Sequence, residues 1–568
     1  MRSSAGACCI DRMMSHRMRV IVICACAVAL YASAPCVSTL AAAGQSNDLS
    51  GDAVVGVQPA QLLSQTITDN WPSYNGDYTG RRFSSLTQIT PQNAGHLQAQ
   101  WVFHSKTPGV LQATPVVVNG IMYFTGSNDA FALNAQTGEV LWHYARTVSK
   151  GLIDDASGHI NRGVALLGTR LYMETDNAHL LCLDARSGNL IWDIAYADWN
   201  KNYGATGAPL IIKDKVLVAT SGGDDGVRGF LAAFDATTGK LAWRLWTIPA
   251  PGEFGSSSWP GDTYLHGGGT AWMPGTYDQE LNTLYWGTGN ASPDYDGSVR
   301  PGDDLYTSSL LAIDPDTGKL KWYFQFTPHD LYDYDGVETP VLVNMEYQGR
   351  PRKLILEANR NGYVYVLDRT DGKFLSATQF VKNLNWAKGI DANGRPVVTD
   401  LLPTADGTLI CPGVEGATNW YSPSYSETTH LFYFSTLESC SVYLRKPAPF
   451  EEGKEYYSTG TKRDPKERST QVLVSFDPQN KTFVWRYPQA GDAHGYGGVM
   501  TTVTGLVFFA DNQGFFEAAD AKTGKSLWHF NTGQSLHASP MSYAVRGNQY
   551  VAIASGSDLF SFALAPSN

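Results

Sequence analysis

The feature that most constrains this 568-residue chain is an eleven-residue phrase that keeps returning, cleanest as Ala312-Ile-Asp-Pro-Asp-Thr-Gly-Lys-Leu-Lys-Trp322. It recurs as ALNAQTGEVLW (132–142), CLDARSGNLIW (182–192), AFDATTGKLAW (233–243) and AADAKTGKSLW (518–528). Two worn copies, VLDRTDGKFLS (366–376) and SFDPQNKTFVW (475–485), complete a set of seven. Each reads as a strand end, a tight turn and the start of the next strand. The Asp is suited to accept backbone N–H groups of the turn, and the Gly supplies its φ > 0 position. A Trp at a fixed place in every unit is a flat surface that one small sheet cannot bury alone, so units must pack on one another. Spacings of 50 and 51 residues between the best copies leave room for four short strands per unit. The expectation is an all-β, eight-bladed β-propeller: seven phrases plus a composite blade joining N- and C-terminal strands.

The rest of the chain agrees with that architecture. Alternating, β-branched and aromatic runs such as VVVNGIMYFTG (116–126) and GLVFFADNQGFFEAAD (505–520) read as strands, and helix signals are nearly absent. Two stretches without the phrase, 244–281 and 377–470, are rich in Pro, Gly, Trp and Tyr and are expected to project over one face, where ligands bind. A net charge of −11 excludes a nucleic-acid surface. Five of the eight cysteines fall within the first 36 residues. There a basic lead, an apolar core (Val20 to Leu30) and small residues near Ala43 read as a cleaved export signal, residues 1–43. A leader, 44–70, would follow, then the propeller, 71–568. The mature protein is expected in the periplasm without a transmembrane anchor, and the lack of C-x-x-C-H implies no covalently attached c-type haem.

Several side chains carry chemistry. Asp224 in SGGDDGVRG, Asn290 in GTGN, and Asp333 and Asp335 in HDLYDYDGV form an all-oxygen set suited to a hard cation, though each alone reads more readily as a turn residue. Trp272 follows three glycines that permit close approach of something flat. Arg162 and Arg360 sit in Gly/Asn-rich turns and suit carboxylates or a carbonyl. Three apparent motifs are decoys: Gly524-Lys525-Ser526 lies inside a repeat turn, His266-Gly-Gly-Gly has no G-x-S-x-G partner, and the histidines lack zinc spacing.

Taken together, these residues resemble the quinoprotein alcohol dehydrogenases of the methanol and ethanol dehydrogenase type, which use pyrroloquinoline quinone (PQQ). The resemblance covers essentially the whole mature chain. It implies that Trp272 is the floor on which the quinone stacks, Asn290 a metal ligand and Asp333 the catalytic base. It implies too that Arg360 bonds the reactive carbonyl and Arg162 a cofactor carboxylate. Thr206, Ser221, Gly222, Gly223 and Asn419 fall where the family lines the quinone, and Cys411 and Cys440 resemble a disulfide pair of some members.

The departures are as informative. Relatives carry two adjacent, mutually bridged cysteines before N-R-G; here Ala156 and Ser157 stand there. Gln112 replaces a rim Glu and Tyr496 a rim Trp. Asp224 stands for a Glu, a loss of reach of ~1.5 Å. The expected reaction converts an alcohol to an aldehyde or ketone, with Asp333 taking the hydroxyl proton and a metal ion acting as Lewis acid. The electrons would pass to a separate periplasmic c-type cytochrome. Asp335, two residues after the base, resembles the lanthanide-type members, so a lanthanide is expected ahead of Ca2+. A homodimer is compatible with this reading. The runner-up is a quinoprotein sugar or polymeric-alcohol dehydrogenase; a non-catalytic propeller scaffold has no reason to keep Trp272, Asn290 and Asp333 together.

Overall fold

The computed structural model of the chain describes residues 55–565 apart from 153, 448, 465–467 and 492–496. The expected export signal, the start of the leader (44–54) and Tyr496 lie outside the described residues. The fold is an all-β propeller. Among the described residues, eight sheets repeat one antiparallel four-strand design: 116–144, 165–195, 210–246, 276–325, 341–379, 424–488, 499–531 and a composite sheet. In the composite sheet Leu97–His104 pairs with Asp558–Leu564, so the two ends of the propeller share one sheet. Helix is confined to short turns, and no helix among the described residues is long and apolar enough to cross a membrane.

The phrase works as its residues suggest. The Oδ1 atoms of Asp184, Asp235 and Asp520 each accept two backbone N–H groups of their turns. The Trp on the outgoing strand lies opposite the first residue of the same phrase: Trp142 opposite Ala132, Trp243 opposite Ala233, Trp322 opposite Ala312. That first residue is small because the indole needs its volume. In the worn copy the sizes are exchanged, with Val366 opposite Ser376.

Each Trp then packs on the glycine of the next unit. A Cβ at Gly138 would lie 2.8 Å from Trp101, at Gly188 2.6 Å from Trp142, at Gly318 2.5 Å from Trp243 and at Gly372 2.5 Å from Trp322. Glycine is therefore required twice over, by its positive φ and by the ring pressed against its face. The indole N–H donates to the same turn: Trp142 to Ala185 O (3.0 Å), Trp243 to Pro315 O (2.9 Å) and Trp485 to Ala521 O (2.9 Å). The series closes through the composite sheet, where Trp528 donates to Leu97 O (3.0 Å) and Trp101, which belongs to no copy of the phrase, to Ala135 O (3.2 Å). One unit breaks the pattern. Ser376 stands where its Trp would be, and in the following unit Lys481, at φ 58°, stands where the glycine would be. With no indole to meet, a side chain there is tolerated.

The stretch 377–470 is only partly an excursion. It holds two strands of a regular sheet, Ser424–Ser426 and Leu431–Glu438, with two small extra sheets around them. The disulfide Cys411–Cys440 (Cα–Cα 4.4 Å) joins this region to itself.

The N-terminal stretch does more than lead in. Between residues 57 and 82 it hydrogen-bonds to all eight sheets or their turns: Val57 O to Gly168, Asp69 O to Ala544, Trp71 to Val117, Tyr78 to Ile211 and Tyr277, Thr79 O to Leu342, Arg81 O to Tyr425 and Arg82 O to Thr501. Val57, Leu62 and Ile67 are buried in the same cores as the sheets. Arg82 is completely buried and donates to Tyr74 O (2.8 Å), Asn75 Oδ1 (3.2 Å) and Pro540 O (2.6 Å).

Gly318→Ala is expected to destabilise the protein by about 1–3 kcal/mol through overpacking against Trp243, whereas Lys481→Gly should stay within about 1 kcal/mol. Thermal unfolding of both variants checks this. Equal effects would break the link between glycine and tryptophan.

Candidate active site

Among the described residues, every cofactor- and cation-binding candidate except Gln112 lines one cavity of about 260 Å³. Its walls come from the loops at strand ends of several sheets, which is where a propeller presents groups near its axis. The cavity has a cationic end and an anionic end.

Arg162 makes the cationic end. Its guanidinium lies between two indoles, 4.8 Å from the centre of Trp272 and 4.3 Å from that of Trp420. Nη1 donates to Thr206 O (3.0 Å), while Nε is buried without a hydrogen bond. No carboxylate pairs with it among the described residues, and burial lowers its pKa to about 10. A buried, unpaired cation is costly unless an anion is supplied. Asn161 fixes the turn: its Oδ1 accepts from Gly163 N (3.0 Å) and its Nδ2 donates to Glu174 O (2.8 Å).

The anionic end is a relay of polar side chains. Asn290 Nδ2 donates to Asp224 Oδ1 (3.0 Å), and Asn290 N to Asp335 Oδ1 (2.6 Å). Arg360 is forked between Asp335 Oδ2 (2.9 Å) and Asp333 Oδ2 (3.0 Å), and Nη2 also reaches Val414 O (2.6 Å). Burial pushes the Asp333 carboxyl well above the usual carboxylate range; Arg360 opposes this, and the neighbouring Asp335, Asp224 and Asp330 add to it. Asp333 Oδ1 takes no protein hydrogen bond among the described residues, and Asp333 itself is held at φ 62°. Asp335 is 2% exposed and engaged by partners outside its own turn, unlike a residue that merely shapes one.

The donor set is entirely oxygen, which suits a hard cation. Among the described residues no three acidic, histidine or cysteine side chains are gathered into a closed metal cage. Asn290 and Arg360 instead hold the carboxylates side by side. Such an open arrangement fits a cation that takes further oxygens from a bound cofactor, and the orphaned Nε atoms of Arg162 and Arg360 fit a ligand rich in carboxylate and carbonyl oxygen.

The remaining candidates divide. Ser221 Oγ donates to Ala156 O, closing the wall where relatives are expected to carry paired cysteines, and Ser157 lines the cavity beside it. Gln112 does not line the cavity; its Oε1 is buried and unpaired near Thr114, whose N–H donates to Arg162 O (3.1 Å). Trp420, Thr270 and Ile160 were not singled out from sequence yet stack on Arg162 or line the wall. Only the position of Trp420 directly after Asn419 could have signalled it.

A propeller cavity that sets a stacked cation opposite an oxygen-only anionic wall defines a class: an enzyme built around a flat, acidic cofactor held together with a metal ion. Comparison with known proteins agrees. Residues 71–381 and 476–551 match the family model described as PQQ: glucose/ethanol/alcohol dehydrogenase, beta-propeller domain. The chain is 38% identical to quinohemoprotein alcohol dehydrogenase ADH IIB of Pseudomonas putida, over 88% of this chain and 75% of that protein. It is 35% identical to the quinoprotein alcohol dehydrogenase PedH of a P. putida strain, over 89% and 90%. Among solved structures it resembles a europium-containing methanol dehydrogenase with a TM-score of 0.81 and 29% identity, over 87% of this chain and 98% of that one. The chain belongs to this family and is a PQQ-dependent alcohol dehydrogenase.

Behind the cationic end Glu174 is buried, accepts backbone N–H groups of Ala219 and Gly207, and leaves Oε2 unpaired. Burial pushes its carboxyl up to about 8 from 4.5. Between those values the folded protein keeps a proton that the unfolded chain has lost, so stability falls as pH rises through the window and the loss is complete above pH 8. Glu174→Gln is expected to leave the melting temperature near pH 4 unchanged and raise it at pH 9. Parallel pH–Tm curves for parent and variant would overturn the assignment.

Proposed function

We propose that this enzyme is an exported, periplasmic dehydrogenase that oxidises a small alcohol to an aldehyde or ketone, with Asp333 as base and a lanthanide as its preferred ion. The observation that carries the reading is the polarity of the cavity: unpaired Arg162 between Trp272 and Trp420 at one end, Asp224, Asn290, Asp333 and Asp335 at the other. Trp272 and Arg162 would hold the quinone, with Thr206, Ser221, Gly222, Gly223 and Asn419 around it; Gln112 and Tyr496 remain rim positions in this reading. Asp224, Asn290, Asp333 and Asp335 would hold the cation.

Bound there, PQQ supplies a two-electron acceptor and the cation a Lewis acid at its carbonyl. Asp333 takes the hydroxyl proton of the alcohol through Oδ1 as the carbinol carbon gives up hydride. Arg360 keeps Oδ2 of Asp333 in place and orients the free oxygen. A positive ion next to Asp333 offsets the burial that otherwise favours the protonated acid, so ion binding also readies the base. The electrons would leave through a separate periplasmic c-type cytochrome, and a homodimer accords with this arrangement.

The lanthanide preference rests on Asp335. Each of its oxygens is engaged by one protein donor, which leaves a second lone pair on each for a cation. Asp224, Asp333 and Asp335 together carry three negative charges, and a trivalent ion needs anionic oxygens to replace its water. The likeness to a europium-containing methanol dehydrogenase supports this choice.

Asp333→Asn should retain quinone binding and lower turnover by roughly 10²–10⁴, measured with a primary alcohol and an artificial electron acceptor; parent-like turnover with the metal present would remove Asp333 from the role of base. The parent is expected to respond more strongly to a light lanthanide than to calcium, and Asp335→Ala to lose that preference. Activity titrations of metal-free enzyme with each ion decide, and equal responses of the parent would sink the lanthanide reading.

A further inference from the structure

The proposed cation donors Asn290, Asp333 and Asp335 sit on two loops more than forty residues apart, so something must set the distance between them. Arg300 spans the two. Its side chain is fully buried, and Nη2 donates to Pro293 O (3.0 Å), Asp294 O (3.2 Å) and Asp330 O (2.7 Å). Nε reaches Pro293 O at 3.4 Å, and Nη1 pairs with the Asp304 carboxylate, while the backbone N–H of Asp304 donates to Ser258 Oγ (3.1 Å). One fork thus ties the loop that follows Asn290 to the loop that precedes Asp333.

Asp330 continues the link inward. Its Oδ1 accepts from Tyr332 N (3.0 Å), and its Oδ2 accepts from Tyr334 N (2.8 Å) and Ser308 Oγ (3.2 Å). Asp333 lies between those two N–H groups in the left-handed region, which a residue with a side chain adopts only when its surroundings impose it. The Asp330 carboxylate brackets it, accepting from the N–H on either side. Neither Arg300 nor Asp330 lines the cavity.

We infer that Arg300 and Asp330 are positioning residues for the cation site, Arg300 setting the separation of the Asn290 and Asp333–Asp335 loops and Asp330 holding Asp333 in its left-handed conformation. The inference rests on the proposed reading of those residues as cation donors. Partners behind a metal's ligands typically matter 10–100-fold in affinity when replaced. Arg300→Lys keeps the buried charge, but a single ammonium cannot reach all three carbonyls and Asp304 at once. Asp330→Asn keeps the shape but retains only one oxygen to accept the two N–H groups.

The test is terbium binding to the metal-free full chain reconstituted with PQQ, followed by tryptophan-sensitised emission and by competition with calcium, alongside thermal unfolding. Arg300→Lys and Asp330→Asn are each expected to weaken terbium roughly 10–100-fold. Gly318→Ala, remote from the cavity, serves as the stability control and should lower the melting temperature with terbium affinity unchanged. Parent-like affinity in either folded positioning variant overturns the inference, as does an equal loss in Gly318→Ala, which would mark the effect as general destabilisation. Should Asn290→Ala bind terbium as tightly as the parent, the cation reading itself fails and takes this inference with it. Tight binding by the parent, lost in Asn290→Ala yet kept in Arg300→Lys and Asp330→Asn, removes the positioning role alone.

Discussion

The contact on which the rest depends is an indole lying on a glycine of the next unit, its N–H donating to the turn that glycine closes. It joins units without extending the backbone ladder of one sheet into the next, so neighbouring sheets can stand face to face around an axis. The dependence runs both ways. Where Ser376 removes an indole, the partner glycine is released to become Lys481; where the phrase is absent altogether, in Leu97–His104, Trp101 still docks on Gly138 and closes the series. The docking pattern is thus a property of the whole ring, fixed by volume at each joint rather than by the exact phrase.

A ring built this way brings the ends of its inner strands together and leaves backbone groups there to be satisfied. The stretch 57–82 answers by bonding to every sheet in turn. It also brings Tyr74 into the apolar cluster that holds Met273, Trp420 and Trp272. The segment that fastens the ring therefore also packs, through Tyr74, against the indoles on either side of Arg162. Buried arginines without carboxylate partners, Arg82 beneath and Arg162 in the cavity, are tolerated because backbone carbonyls take their N–H groups and aromatic faces take their charge.

What could be read from the sequence follows from these distances. The phrase was legible because its turn, its small first residue and its Trp are local, and periodicity exposes them. The cavity residues were legible through short motifs, TAW, GTGN, DYD and NRNG, each compact enough to resemble a family. Trp420, Arg300 and Asp330 were not, since each acts across long separations and largely on main-chain atoms, which leave no residue-type signature. Gln112 differs from these: resemblance puts it at the rim, and it does not itself line the cavity. The reach of the stretch 57–82 was hidden for the same reason, because a loop-rich stretch does not announce that its carbonyls and N–H groups bond to eight separate sheets.

Charge balance gives the clearest reason for the two-ended cavity. At the anionic end three carboxylates share one guanidinium, Arg360, which is bonded to two of them. On the proposed reading that end carries a net charge of −2 before any cofactor arrives, and a quinone carboxylate placed on the cation would bring it to −3. A divalent ion would leave one negative charge unanswered in a buried site, where it would drive one carboxyl to hold a proton, and burial already pushes the Asp333 carboxyl that way. A base that keeps its proton cannot take one from the alcohol. On the proposed reading a trivalent ion would remove the excess and leave Asp333 ionised, and Arg162, with no carboxylate of its own, would answer the other acidic end of the same cofactor. A preference for the higher charge and the readiness of the base would then be one electrostatic requirement, met by Asp335 in the wall.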